Sequence, residues 1–185
     1  GGRSDLTLNA DKEIPSATVE TVSMEGIEPD QGLRELPAVK SAQEKTVSFI
    51  QDNVLGHASA DFQPVDEIKG IPAGRIEDTA VIDLIGTVQL ENSGADVSAA
   101  ALFKGTSDLP KGDINYGNIF DIYKFDNTLY RVSVTGAELK AYMEWSAECY
   151  NQWQEGDINI SFDPEYPDYL YDMFAGVEYE IDLST

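Results

Sequence analysis

The sequence predicts an α+β fold, and three observations predict it. Thr135 and Glu138 stand at the T-x-x-E spacing of a helix-starting capping box, ahead of Leu139, Tyr142, Met143, Ser146 and Tyr150 at helical intervals. Three stretches, 127–134, 157–162 and 174–182, alternate with the period of two that a half-buried strand shows. Helical and strand patterns succeed one another in mixed order, without repeat or low-complexity tract, in 185 residues whose 42% hydrophobic and 10% aromatic content supports a sizeable core.

Read in order, residues 6–8 and 18–22 form two short strands around a turn-rich segment holding Pro15. A lone hairpin is marginal in water, so this one should lean on something else. Pro29, Asp30, Gly32 and Pro37 give residues 27–37 the composition of a linker. A helix over 38–53 follows, with Val39, Ala42, Thr46, Val47 and Ile50 on one face. After a Pro- and Gly-punctuated stretch, 63–75, Asp78 caps a helix carrying Val81, Leu84, Ile85 and Val88, which ends near Gly94. Residues 95–102 are small and nearly uncharged, as a buried strand would be. Residues 116–123 form a short helix with Ile119, Phe120 and Tyr123 inward; 127–134 is a strand; the capping-box helix runs to about Trp153. The strands 157–162 and 174–182 close the order, divided by a turn through Pro164 and Pro167.

Twelve Lys and Arg against 34 Asp and Glu leave a formal charge of −22, which argues against a nucleic-acid polymer as partner, since a phosphate backbone demands clustered cations. No apolar run approaches the roughly 18 residues of a membrane span. Cys149 and His57 are single, too few for a Cys/His zinc site, which takes about four such ligands. His57, beside Gly56, reads as a satisfied loop residue. Asp157, Asn159, Ser161 and Asp163 have the alternate spacing of a calcium loop, but Phe162 and Asp168 occupy the positions that need Gly and Glu. There is no G-x-S-x-G elbow and no phosphate-cradling Gly-rich loop. These residues alone describe a binding or interaction domain, with the aromatic-rich segments 116–130 and 166–179 as its unusual resource.

Residues 94–184 resemble the C-terminal domain of the 5′-nucleotidase family, and within it the 2′,3′-cyclic-nucleotide 2′-phosphodiesterase/3′-nucleotidase branch. The likeness is carried by Gly94-Ala95-Asp96-Val97-Ser98, Lys111-Gly112-Asp113-Ile114-Asn115-Tyr116, Phe125-Asp126-Asn127-Thr128-Leu129, Val134-Thr135-Gly136-Ala137-Glu138-Leu139-Lys140 and Phe174-Ala175-Gly176-Val177-Glu178-Tyr179. The resemblance implies a mixed α/β domain layered helix, sheet, sheet, helix, with further strands beyond Thr185. It implies residues 1–27 as trailing strands of a metallophosphoesterase domain, 28–54 as linker and connecting helix, and 55–185 as the substrate-binding domain.

In that family the aromatic of the F-D-N motif stacks on a base and its Asn bonds the ring edge, which carries over to Phe125 and Asn127. The family's phosphate- or ribose-holding Arg has no counterpart here; Phe103 and Lys104 stand in that region, with Lys104 as a weak substitute. The resemblance further implies a nucleoside or nucleotide as ligand, an N-terminal domain of the same parent chain as partner, and an extracellular, periplasmic or cell-wall location. The two divalent metals would belong to that other domain, with no cofactor in this chain. A noncatalytic acidic interaction module that kept the fold and lost the nucleotide site is the alternative.

Overall fold

The computed structural model describes residues 1–184, and its contacts separate two units, Gly1–Thr46 and Val47–Thr185. In the first, β1 (Gly2–Thr7) and β2 (Ser16–Thr21) pair antiparallel, Gly2 opposite Thr21 and Thr7 opposite Ser16. The connecting turn forms because the Asn9 side chain accepts the amides of Asp11 and Glu13, at 3.0 and 2.9 Å. β1 starts earlier than its apolar pattern suggests, since the ladder uses backbone groups and takes in Gly2, Arg3 and Ser4 regardless of side chain. Every residue of both strands is exposed. The expected linker contains a single helical turn, α1 (Gln31–Arg34), begun by the Asp30 carboxylate accepting the Leu33 amide at 3.0 Å. α2 (Pro37–Asp52) matches the predicted helix and opens on a proline, whose missing N–H costs nothing there; it buries no residue.

In the second unit, β3 (Val54–Ala58) pairs antiparallel with β5 (Gly112–Asn115), two strands that the sequence patterns do not reveal. Four of the five β3 residues are exposed, so no apolar alternation marks it. His57 is thus a strand residue and not a loop residue; its Nδ1 lies 3.0 Å from the cross-strand Asp113 carboxylate, both exposed. β5 runs directly into α4 (Tyr116–Ile122) through a reciprocal cap between Asn115 and Asn118. Ile122 is the buried residue of α4, whereas Phe120, expected inward, is 49% exposed.

α3 (Ala80–Ser93) starts one residue later than an Asp78 cap would place it, with Thr79 at the cap position, and ends on Gly94 in the left-handed region. Its buried face is Val81, Ile82, Ile85 and Gly86, not the side bearing Val88. The rotation follows from Gly86, which lets α3 approach β4 (Ser98–Ala101) and β6 (Asp172–Ala175) closely enough that an added Cβ would stand 2.7 Å from that of Ala175.

β4 and β6 pair antiparallel, Ser98 opposite Ala175 and Ala99 opposite Phe174. Alternation places Ser98, Ala100, Met173 and Ala175 on the α3 side. Ala99 and Phe174 face α5 (Gly136–Ser146), where Tyr142 meets Phe174 edge-to-face at 5.3 Å. This sheet therefore lies between two helices. Val81, Ile85, Ala100, Leu102, Ile114 and Met173 belong to one buried cluster.

The Thr135–Glu138 capping box is present in both directions, the Thr135 amide donating to the Glu138 carboxylate at 2.7 Å and the Glu138 amide to the Thr135 hydroxyl at 3.3 Å. α5 is shorter than expected, passing at Ala147 into one tight 3₁₀ turn that ends at Cys149. Three predicted strands also change. Residues 127–134 have no ladder partner among the described residues, and 157–162 retain only the Tyr150–Phe162 bridge. The last strand stops at Ala175 because Gly176 turns with φ 87°, its α-carbon so near the Asp96 carbonyl that a Cβ would sit 2.2 Å from that oxygen.

Candidate functional site

Two loops at the ends of β4 and α4 bring the aromatic candidates together. Phe103 follows β4 by two residues and Phe125 follows α4 by three. Their rings meet edge-to-face with centroids 5.2 Å apart, and Phe103 also meets Tyr123 edge-to-face at 5.8 Å. Phe125 is 58% exposed, so it is not a ring of the buried core. The Asn127 amide donates to the Phe125 carbonyl at 3.1 Å, a three-residue turn that holds the two candidate residues side by side. The Asn127 side chain is in turn steadied by donating from Nδ2 to the Tyr123 hydroxyl at 3.2 Å. Tyr123 is a member of this cluster that the sequence pattern assigns only to packing. Its signal is the four-residue offset from Asn127.

The Phe103–Lys104 loop is held from below by an ion pair far from it in sequence. Arg75 Nε lies 2.9 Å from one Asp168 oxygen, while the other accepts the Gly105 amide at 3.0 Å. The Arg75 guanidinium also stacks 4.1 Å over the Phe162 ring. Gln63 Nε2 donates to the Gly105 carbonyl at 3.1 Å, and the Ser107 amide closes a turn on the Lys104 carbonyl at 2.9 Å. Gly105 is required here, because a Cβ would stand 2.6 Å from Arg75 Cγ. Lys104 itself is exposed, next to Phe103 in the chain. Arg75, Asp168 and Gly105 hold this loop in place, and no local motif marks them.

Chemically, the arrangement offers an open aromatic face and a carboxamide beside it, with the exposed Lys104 next in the chain to the bracing Phe103. A flat ring sandwiched between two aromatics would hold them about 7 Å apart, two layers of about 3.5 Å each. At 5.2 Å and 61° between planes, Phe103 and Phe125 leave no such slot, so Phe103 buttresses Phe125 and the outer face of Phe125 is the one available. Groups for covalent or metal chemistry are not gathered here. Cys149 is buried and its thiol is pushed up to about 11, chiefly by loss of solvent, which leaves it protonated and unreactive at neutral pH. No group of three or more His, Cys, Asp or Glu side chains able to hold a metal occurs among the described residues. Among the same residues, no helix is long and apolar enough to cross a membrane.

The family model described as "5′-nucleotidase, C-terminal domain" matches residues 54–185. The chain is 29% identical over 187 aligned positions to a 2′,3′-cyclic-nucleotide 2′-phosphodiesterase/3′-nucleotidase of Yersinia enterocolitica, covering 80% of this chain and 28% of that protein. It is 32% identical over 80 positions to the trifunctional nucleotide phosphoesterase protein YfkN of Bacillus subtilis, covering 42% of this chain and 6% of that one. Among solved structures, one from Staphylococcus aureus described as a putative 5′-nucleotidase in complex with alpha-ketoglutarate superposes with a TM-score of 0.66 at 20% identity, over 94% of this chain and 32% of that one. A 5′-nucleotidase precursor from Thermus thermophilus superposes with a TM-score of 0.52 at 19% identity, over 95% of this chain and 31% of that one. At these identities the structures establish a shared fold. The chain spans little more than a quarter of the Yersinia relative's length.

Proposed function

The chain belongs to the 5′-nucleotidase family through its C-terminal domain, and from that premise we propose that residues 55–185 recognise the nucleoside part of the substrate of a longer nucleotide phosphoesterase acting in nucleotide catabolism. The observation that carries this reading is the exposed Phe125 ring, braced by Phe103, with Asn127 fixed beside it by the Tyr123 hydroxyl. A base laid on Phe125 gains stacking, and the Asn127 carboxamide, which spends one donor on the Tyr123 hydroxyl, is the group two residues away that would bond its edge. Lys104 is the cation within the same loop that can meet a phosphate or ribose oxygen.

The fold family implies two divalent metals, and the donor set here does not fit them. His57 is the one imidazole of the chain, exposed, with Asp113 as its carboxylate partner among the described residues. A two-metal site needs several ligands holding ions roughly 3.5–4 Å apart. No hydrolytic step is therefore assigned to this chain, and the metals are placed in another domain of the parent polypeptide. In this scheme residues 1–27 are trailing strands of that domain and 28–54 the linker and helix joining it to 55–185, in a protein working outside the cytoplasm. The open strands of the β1–β2 hairpin support it, since neither face is covered among the described residues.

The test is titration of the chain with adenosine and other nucleosides, followed by NMR shifts of the Phe125 and Asn127 signals. A stacked base is worth about 1–3 kcal/mol by alanine substitution, so Phe125→Ala should weaken binding roughly 5- to 150-fold. Ring resonances elsewhere should stay in place. Nucleoside affinity unchanged by Phe125→Ala, or no nucleoside binding by a folded chain, would refute the assignment and favour the noncatalytic interaction module.

A further inference from the structure

Tyr123 is rooted in the buried cluster of its unit, while its hydroxyl reaches the candidate site. It caps α4, its amide donating to the Ile119 carbonyl at 2.8 Å, and its ring packs on the cluster that holds Ile114 and Ile122. The Phe103 ring meets it edge-to-face at 5.8 Å. The phenol is therefore held by packing, and the side-chain partner of its hydroxyl among the described residues is Asn127 Nδ2, at 3.2 Å. Asn127 is set from its other end, where its own amide donates to the Phe125 carbonyl at 3.1 Å. With that turn and the phenol both in place, the freedom left to the carboxamide is a half-turn about its last bond.

Such a half-turn exchanges Oδ1 with Nδ2, two atoms of nearly the same size. A partner that only donates or only accepts would favour one orientation, because the other sets like against like. A phenol hydroxyl does both. With Nδ2 toward Tyr123 the hydroxyl oxygen accepts; with Oδ1 toward it the O–H rotates and donates. Either way the carboxamide keeps one acceptor and one N–H for a ligand, and the two exchange places. Bases show the same two patterns on their pairing edge. Adenine and cytosine put an amino donor beside a ring-nitrogen acceptor, whereas guanine, hypoxanthine and uracil put a carbonyl acceptor beside a ring N–H.

We propose that Tyr123 sets the breadth of base recognition at this site: its hydroxyl holds the Asn127 carboxamide in either orientation, so that one residue reads bases of opposite edge polarity. The proposal rests on the nucleoside reading of the same site and concerns how Asn127 is presented to a base stacked on Phe125. Tyr123 touches no base in this scheme and acts through Asn127. A carboxamide locked in one orientation would set donor against donor with about half of the bases, and would bind those at least about 5-fold more weakly.

Calorimetric titration of the 185-residue chain with adenosine and inosine tests this, since the two share sugar and ring shape and differ in edge polarity. Asn127→Ala should weaken both by roughly 2- to 10-fold, and should change the ratio of their Kd values by less than about 5-fold. Tyr123→Phe keeps the ring against Phe103 and should weaken both nucleosides by up to about the same factor. In an Asn127→Ala background it should add less than about 2-fold, because its effect passes through the carboxamide. Tyr123→Phe without effect, or with a loss that persists undiminished without Asn127, would make the phenol a packing residue and overturn the proposal. So would a Kd ratio that Asn127→Ala shifts by more than about 5-fold, the mark of a carboxamide locked in one orientation. Phe125→Ala separates this proposal from the reading it rests on. If it weakens both nucleosides while Tyr123→Phe is uncoupled from Asn127, stacking stands and the role of Tyr123 falls; if both nucleosides ignore it, both fall.

Discussion

Replacing Gly86 by alanine sets two known effects against each other at one helix position. An interior Gly→Ala change favours a helix by about 1 kcal/mol. Here the new Cβ would stand 2.7 Å from the Ala175 Cβ and 3.3 Å from the Ser98 hydroxyl. The Ala175 Cβ is fixed to the β6 backbone and cannot swing aside, so α3 must lift from the sheet by about 1 Å to restore an ordinary carbon separation of roughly 3.7 Å. Overpacking of this kind costs about 1–3 kcal/mol. Lifting α3 also loosens Val81 and Ile85, buried on the same face. Gly86→Ala should therefore be net destabilising by about 1–2 kcal/mol, a fall in Tm of roughly 2–8 °C. Gly136→Ala supplies the control, since nothing lies within 4 Å of its added Cβ at the start of α5. It should be neutral or stabilising by up to about 1 kcal/mol. Thermal unfolding followed by near-UV circular dichroism compares the two. A Gly86→Ala protein as stable as the original, beside a well-behaved Gly136→Ala, would refute the close approach of α3 to the sheet.

Two titrating groups give further predictions. Burial raises the Asp172 carboxyl above its ordinary value of 3.8, with the Tyr142 hydroxyl bond opposing. Its contribution to stability is thus full below pH 3.8 and lost as pH rises through the raised value. Asp172→Asn should gain on the original protein between pH 3 and pH 7 in urea unfolding, and a constant difference across that range would contradict it. Glu138 behaves oppositely: the Thr135 amide, and then the Thr135 hydroxyl, hold its carboxyl below the ordinary 4.5. Its contribution is complete above pH 4.5 and lost as pH falls through the lowered value. A Glu138→Gln protein should therefore match the original in acid and fall behind near neutrality. Thr135→Ala removes the helix cap itself and should cost about 1 kcal/mol near neutral pH, measured by urea unfolding.

Helices were legible in the sequence where a short segment carries its own bonds. α2, α3 and α5 begin within one residue of expectation, because caps and i to i+4 ladders are written in adjacent residues. The nearness of Phe125 to Asn127 is likewise local. A strand needs a partner that sequence does not name. His57 and Asp113, 56 positions apart, face each other across β3 and β5 without any alternation to announce them. The clear alternation of 127–134, by contrast, has no ladder to join among the described residues. The same distance hid the support of the candidate site, where Arg75, Asp168 and Gly105 converge from three parts of the chain. Periodicity fixes which side chains can share a face, while packing alone decides which backbone edges meet and which face is covered.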